Sequence, residues 1–242
     1  MRAMAHEPDV VYHAHEDPHR AESRLSDVIL GGQDGLVNTL GVILGVAAAT
    51  RDPHIILAAG LAATFAESFS MGAVAYTSAL ADHALYQSEL ERERRHVERV
   101  PDLEREEVRV LYRRKGFDGP LLERIVETIT ADPAVWVAVM MAEELKLAPS
   151  SRGGALKTAF VVFAAAMIGS LIPVAPFIVL PVKAAVWVAV SVATATLFAV
   201  GAYKAFTTVG HWLKSGLEMA AIGMASAFVG YGIGWLFKVP GG

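Results

Sequence analysis

Apolar residues fall into five long blocks along this chain, at about 28–50, 55–81, 156–180, 184–206 and 215–237. One densely charged block lies between the second and the third. A helix rises 1.5 Å per residue, so about 20 residues cross roughly 30 Å of hydrocarbon, and each block is long enough to span a bilayer. The charged block runs from Asp82 to about Leu147, and its apolar residues recur at helical spacing, as in Val108, Leu111, Leu121, Leu122, Ile125 and Ile129. Pro101 breaks its first helix. Asp102 is placed to cap the next, with Glu106 in the first turns; "KGFDGP" reads as a turn, and Asp132 followed by Pro133 starts a third helix. The pattern predicts an all-α membrane protein. Five transmembrane helices carry a three-helix insert between spans two and three, and span two continues into the insert as one long helix. The expected division is a polar tail (1–24), spans one and two (25–81), the insert (82–150), spans three to five (151–237) and a short C-terminal tail (238–242).

Composition agrees: 54% of the 242 residues are hydrophobic and the mean hydropathy is +0.42. A net charge of -4 is too small to imply nucleic-acid binding. The absence of cysteine removes disulfides, thiolate metal sites and a cysteine nucleophile. The polar N-terminus has no signal-peptide pattern. Its His6, His13, His15 and His19 leave weak metal binding open beside the plainer reading of a disordered tail. Lysine and arginine are in excess in the tail, the insert and the loop around Lys204 and Lys214, against Arg51, Lys183 and Lys238 on the other side. That bias puts the N-terminus, the insert and the 204–214 loop in the cytoplasm and the C-terminus outside. No internal repeat is visible, which sets aside a transporter built of two like halves. No nucleophile–base pattern, phosphate loop or dinucleotide fingerprint is present, so nothing points to an enzyme.

The spans nevertheless contain acids. "GGQDGLVNTLG" places Asp34 inside the first, where a carboxylate costs about 2.5–3.5 kcal/mol on insertion scales. Asp27, Asp34 and Asn38 share one helix face. Gly31 and Gly35, and Gly41 and Gly45, stand four apart and let helices approach closely. An ion pathway between packed helices explains this pattern; a basic partner on another span is the alternative. In the second span, Glu67 and Met71 share a face, and a carboxylate with a thioether suits a transition-metal cation. The methionine by itself reads equally as packing. In the insert, Glu89, Glu93 and His96 share one face, Glu104 and Glu107 stand three apart on the next helix, and Met140, Met141 and Glu144 follow on the last. Three such helices can build a carboxylate cage around one ion, although a charged helix face is more often simply solvated.

Several stretches, in this order and spacing, resemble the vacuolar iron transporter family over nearly the whole chain from Arg24. They are "DVILGGQDGLVNTLGVILG", "SMGAVAYTSALADH", "VPDLEREEV", "DPAVWVAVMMAEELKL" and "SLIPVAPFI". The resemblance implies a five-span homodimer with ions passing along the subunit interface, lined by the first spans. Family members move Fe²⁺, often also Mn²⁺, out of the cytosol, with proton exchange in at least some members. By residue, Asp34 matches the pore aspartate and Met71 the pore methionine; Glu93, Glu104, Glu107 and Glu144 match liganding glutamates, and Met140 and Met141 the methionine pair. Two positions depart from the plant pattern. His96 stands where a further liganding glutamate is expected, and Ala63 where span two carries a glutamate, with Glu67 one turn on.

The expected mechanism follows. The insert captures Fe²⁺ (or Mn²⁺) with Glu93, His96, Glu104, Glu107, Met140, Met141 and Glu144, and passes it to Asp34 and Met71, while Glu67 couples protons. The ion is cargo, and no prosthetic group is called for. The expected partners are a second copy of the chain, the bilayer, divalent ions and protons. The competing reading is a membrane-anchored carboxylate ferroxidase without transport. The alanine-rich, cysteine-free composition reads as bacterial, which makes the expected membrane the plasma membrane rather than a vacuole.

Overall fold

The computed structural model describes residues 19–149, 151–207 and 210–238. The readings made for His6, His13 and His15 lie outside them. All regular structure among the described residues is helical: α1 (His19–Ala49), α2 (Pro53–Arg99), α3 (Pro101–Arg114), α4 (Gly119–Thr130), α5 (Pro133–Val139, continued by a π-helical turn, Met140–Glu144), α6 (Arg152–Val174), α7 (Pro176–Val179), α8 (Val182–Thr207) and α9 (Trp212–Leu236). Five stretches are long and apolar enough to cross a membrane: Leu25–Ala49, α2, Gly153–Val179, α8 and α9. The chain is a multi-pass membrane protein. Span two does run without interruption into the insert, because α2 is one helix of 47 residues. Span three is not one helix as the apolar block suggested. Pro176 has no N–H to give, so α6 stops at Val174 and the single turn of α7 follows.

The chain divides into two compact units, and the first takes residues up to Ala75 and from Lys157 onward. Its apolar core joins Leu36, Leu40, Ile43 and Leu44 of α1 to Ala185, Ala189, Ala193 and Leu197 of α8, with Val174, Phe177 and Met219. The alanines of α8 recur every four residues, which gives it a flat face against its neighbours. The glycine pairs of α1 work in two directions. Gly31 and Gly35 lie against the backbone of Val162 and Ala166 on α6, and Gly41 and Gly45 against Gly230 and Gly234 on α9. Residue numbers rise together in both contacts, so spans one, three and five run parallel. Phe69 meets Phe163, and Gly60 lies beside Val174, so α2 runs opposite to α6. Hydroxyls in α2 are satisfied by their own helix: Thr64 donates to the Gly60 carbonyl at 2.8 Å and Ser68 to that of Thr64 at 2.7 Å.

The second unit is Tyr76–Leu156. Val97 of α2, Val108 of α3, Leu122, Val126 and Ile129 of α4 and Trp136 and Val137 of α5 close its core. Asp132 caps α5 as expected, its Oδ1 accepting from the Ala134 N–H at 2.8 Å, and α4 and α5 are bent by 113° across the break. Asp102 does not cap α3. Pro101 takes the first helical position, Val100 becomes the N-cap, and Asp102 lies in the first turn, 3.3 Å from Arg105 Nη1.

The α1–α9 contact yields a test. A Cβ at Gly234 would lie 1.8 Å from the Gly45 carbonyl oxygen, which is backbone and has no rotamer by which to yield. Gly232, two residues away, has open space. Gly234→Ala is expected to destabilise the protein by about 1–3 kcal/mol, and Gly232→Ala to leave stability nearly unchanged, in thermal melts of the detergent-solubilised protein.

Candidate metal-binding sites

The break at Pro101 folds α3 back on α2. The Val100 N–H donates to the His96 carbonyl at 2.8 Å, and one turn into α3 Glu104 arrives beside His96. His96 Nδ1 lies 3.1 Å from Glu104 Oε1. One ligand atom each from Glu93, His96 and Glu104 lies within 4.8 Å of the others, a spacing at which a single cation can be shared. Glu93 and Glu104 are buried, at 5% and 2% exposure, whereas His96 faces solvent. Each buried carboxylate keeps one oxygen, Oε2, without a hydrogen-bond partner. Such groups are costly unless an ion or water completes them.

No arginine forms an ion pair with Glu93 or Glu104 among the described residues, although the charge of Arg92 is felt at Glu93. Arg92 pairs with Glu89, Arg105 with Asp102, and Arg109 with Glu106 and Glu123. Arg105 also lies over the Trp136 ring, 5.6 Å from its centroid. The inner carboxyls therefore face one another and His96. Burial, and then the charges of Glu107 and Glu93, push the Glu104 carboxyl up to about 7. Burial likewise raises Glu93, and raises Glu144 with help from Glu107 and Glu93. The π turn separates Glu143 and Glu144: Glu143 pairs with Lys115, while Glu144 faces Glu107 and Glu93. Met140 and Met141 open that turn and are nearly fully buried in the apolar core of the unit.

In the first unit, Asn38 Nδ2 donates to Asp34 Oδ2 at 3.4 Å, and the Glu67 carboxyl on α2 lies beside Asp34 and Asn38. The polar faces of spans one and two thus meet. Asp34 and Glu67 are half-buried, and among the described residues neither forms an ion pair, so the basic partner weighed from sequence is not found. Met71 is half-buried one turn beyond Glu67. Sequence reasoning missed that Glu104 is among the most buried side chains of its unit. The signal was available: Val108, one turn on, is fully buried and marks the inward face of α3.

A VIT family model matches residues 25–235 of the chain. "Vacuolar iron transporter 1" of Eucalyptus grandis is 31% identical over 221 residues, covering 90% of this chain and 89% of that protein. "Vacuolar iron transporter 1" of Arabidopsis thaliana is 32% identical over 203 residues, covering 83% and 81%. "Vacuolar iron transporter" of Plasmodium falciparum is 26% identical over 235 residues, covering 93% and 86%.

The raised Glu104 carboxyl gives a pH dependence of known sign. Its proton is held more tightly in the folded state, so the metal-free insert loses stability as pH rises from the ordinary carboxylate range through about 7. A cation binding there must displace that proton. Mn²⁺ affinity, measured by calorimetry on the full chain, is expected to rise about tenfold between pH 6 and 8, and Glu104→Gln to weaken binding and flatten the profile.

Proposed function

The chain belongs to the VIT family, and on that footing we propose that it carries Fe²⁺, with Mn²⁺ as a second cargo, out of the cytosol across the membrane. The N-terminus, the insert and the 204–214 loop face the cytoplasm. Glu93, His96, Glu104, Glu107 and Glu144 capture the ion, with Met140 and Met141 supplying soft ligands. A second copy of the chain places two Asp34–Glu67 pairs about a two-fold axis, and the pore runs along that interface.

The observation that carries this reading is the meeting of Asp34 and Glu67 inside the spans with no cationic neighbour among the described residues. A bare dication cannot enter hydrocarbon, where Born costs reach tens of kcal/mol even for one charge. Two carboxylates supply the compensating charge and the oxygen ligands together, and Met71 adds a thioether on the same face of α2. Two carboxyl groups side by side in a low-dielectric setting hold one shared proton more readily than two negative charges. Arrival of Fe²⁺ displaces that proton, and reprotonation from the far side releases the metal, which is antiport. The buried Glu93–His96–Glu104 cluster also fits a carboxylate oxidase anchored by the spans. That reading assigns no task to Asp34 and Glu67.

Metal uptake into proteoliposomes tests the proposal. Wild type is expected to move Fe²⁺ with counter-movement of protons. Asp34→Ala should cut flux by at least about tenfold. Glu67→Gln should retain binding by the insert and lose the dependence of flux on the pH gradient. Ferroxidase turnover without flux would favour the anchored oxidase, and a Glu67→Gln protein with unchanged pH dependence would remove Glu67 from the coupling role.

A further inference from the structure

We propose that the groove between α1, α8 and α9 holds one anionic phospholipid, its phosphate between Arg51 and Lys183 and an acyl chain along the apolar wall. The groove has a volume of about 570 Å³. Arg51 follows the end of α1 and Lys183 opens α8, so both cations stand at the same membrane face and both line the groove. Leu44, Val190 and Met224 line it further in, about 10 Å along their helices. Charge is therefore confined to the mouth and the interior is apolar, as a phospholipid requires.

Three further observations favour this occupant. Neither Arg51 nor Lys183 forms an ion pair among the described residues. Asp52, the acid next to Arg51, directs Oδ1 to the His54 N–H at 2.8 Å, at the start of α2. Trp187 and Tyr231 also line the groove near the cations, and such amphipathic rings settle at headgroup depth. A zwitterionic headgroup would bring its own ammonium to two cations; an anionic one brings only the phosphate they lack. The groove between α1, α6 and α8, about 540 Å³, has no charged lining residue and so offers no such discrimination.

Native mass spectrometry of the full chain in detergent, titrated with phosphatidylglycerol or phosphatidylcholine of matched acyl chains, tests the assignment. Phosphatidylglycerol is expected to bind about tenfold more tightly, from two cations near the headgroup. Arg51→Gln with Lys183→Gln should abolish the preference, and Lys238→Gln, which does not line the groove, should keep it. Ala47→Trp, which fills the wall and leaves both cations, should also abolish it, and excess inorganic phosphate should not displace the lipid. Equal affinity for the two lipids, or a preference that survives the double substitution, would overturn the proposal. Displacement by phosphate, or a preference that survives Ala47→Trp, would reduce the site to one for a free anion and overturn it equally.

Discussion

A charged side chain in hydrocarbon has to be compensated locally, because no water is there to do it. Among the described residues, Asp34 meets this constraint with Asn38 on its own helix and Glu67 from the next. The surrounding architecture follows from holding those groups together. The glycine contacts of α1 with α6 and α9 fix the rotation of α1 about its own axis. Asp34 and Asn38 lie in the same stripe of α1 as these glycines, at the level where Glu67 of α2 reaches them.

The second unit applies the same physics in its own core. Glu93 and Glu104 are buried without a matching arginine, although arginines are plentiful on the same helices. Arg92, Arg105 and Arg109 are instead held by other carboxylates: Glu89, Asp102, and Glu106 with Glu123. Neither inner carboxyl forms an ion pair with an arginine among the described residues, which leaves both dependent on protons or a cation. A structural ion-pair network would have joined the two sets.

Much of this was legible in the sequence, for identifiable reasons. The five spans follow from segment length and apolarity, and Asp34 and Glu67 stand out because they interrupt apolar blocks. The family was legible from ordered motifs rather than from any one of them. What escaped depended on contacts between distant segments. The glycine spacing in α1 was plain, but its partners, Val162 and Ala166 on one side and Gly230 and Gly234 on the other, were not. Asp102 looked like a cap until Pro101 claimed the first helical position. The π turn has no local composition signal; it redirects Glu143 and Glu144 to different neighbours through one extra residue per turn.

The backbone contacts of α1 carry a mechanical consequence. Where carbonyl oxygens rest on glycine Cα atoms there are no side-chain rotamers to exchange, so α1 slides or turns against α6 or α9 only by breaking the contact altogether. They form a stator. The α2–α6 seam is of another kind: it is filled by Phe69 on Phe163 and by Ser68 near the Met167 sulfur, side chains that can repack over short distances. The seam with side chains to exchange is thus the one at α2, the helix that carries Glu67 and Met71, beside backbone contacts that hold the helix bearing Asp34.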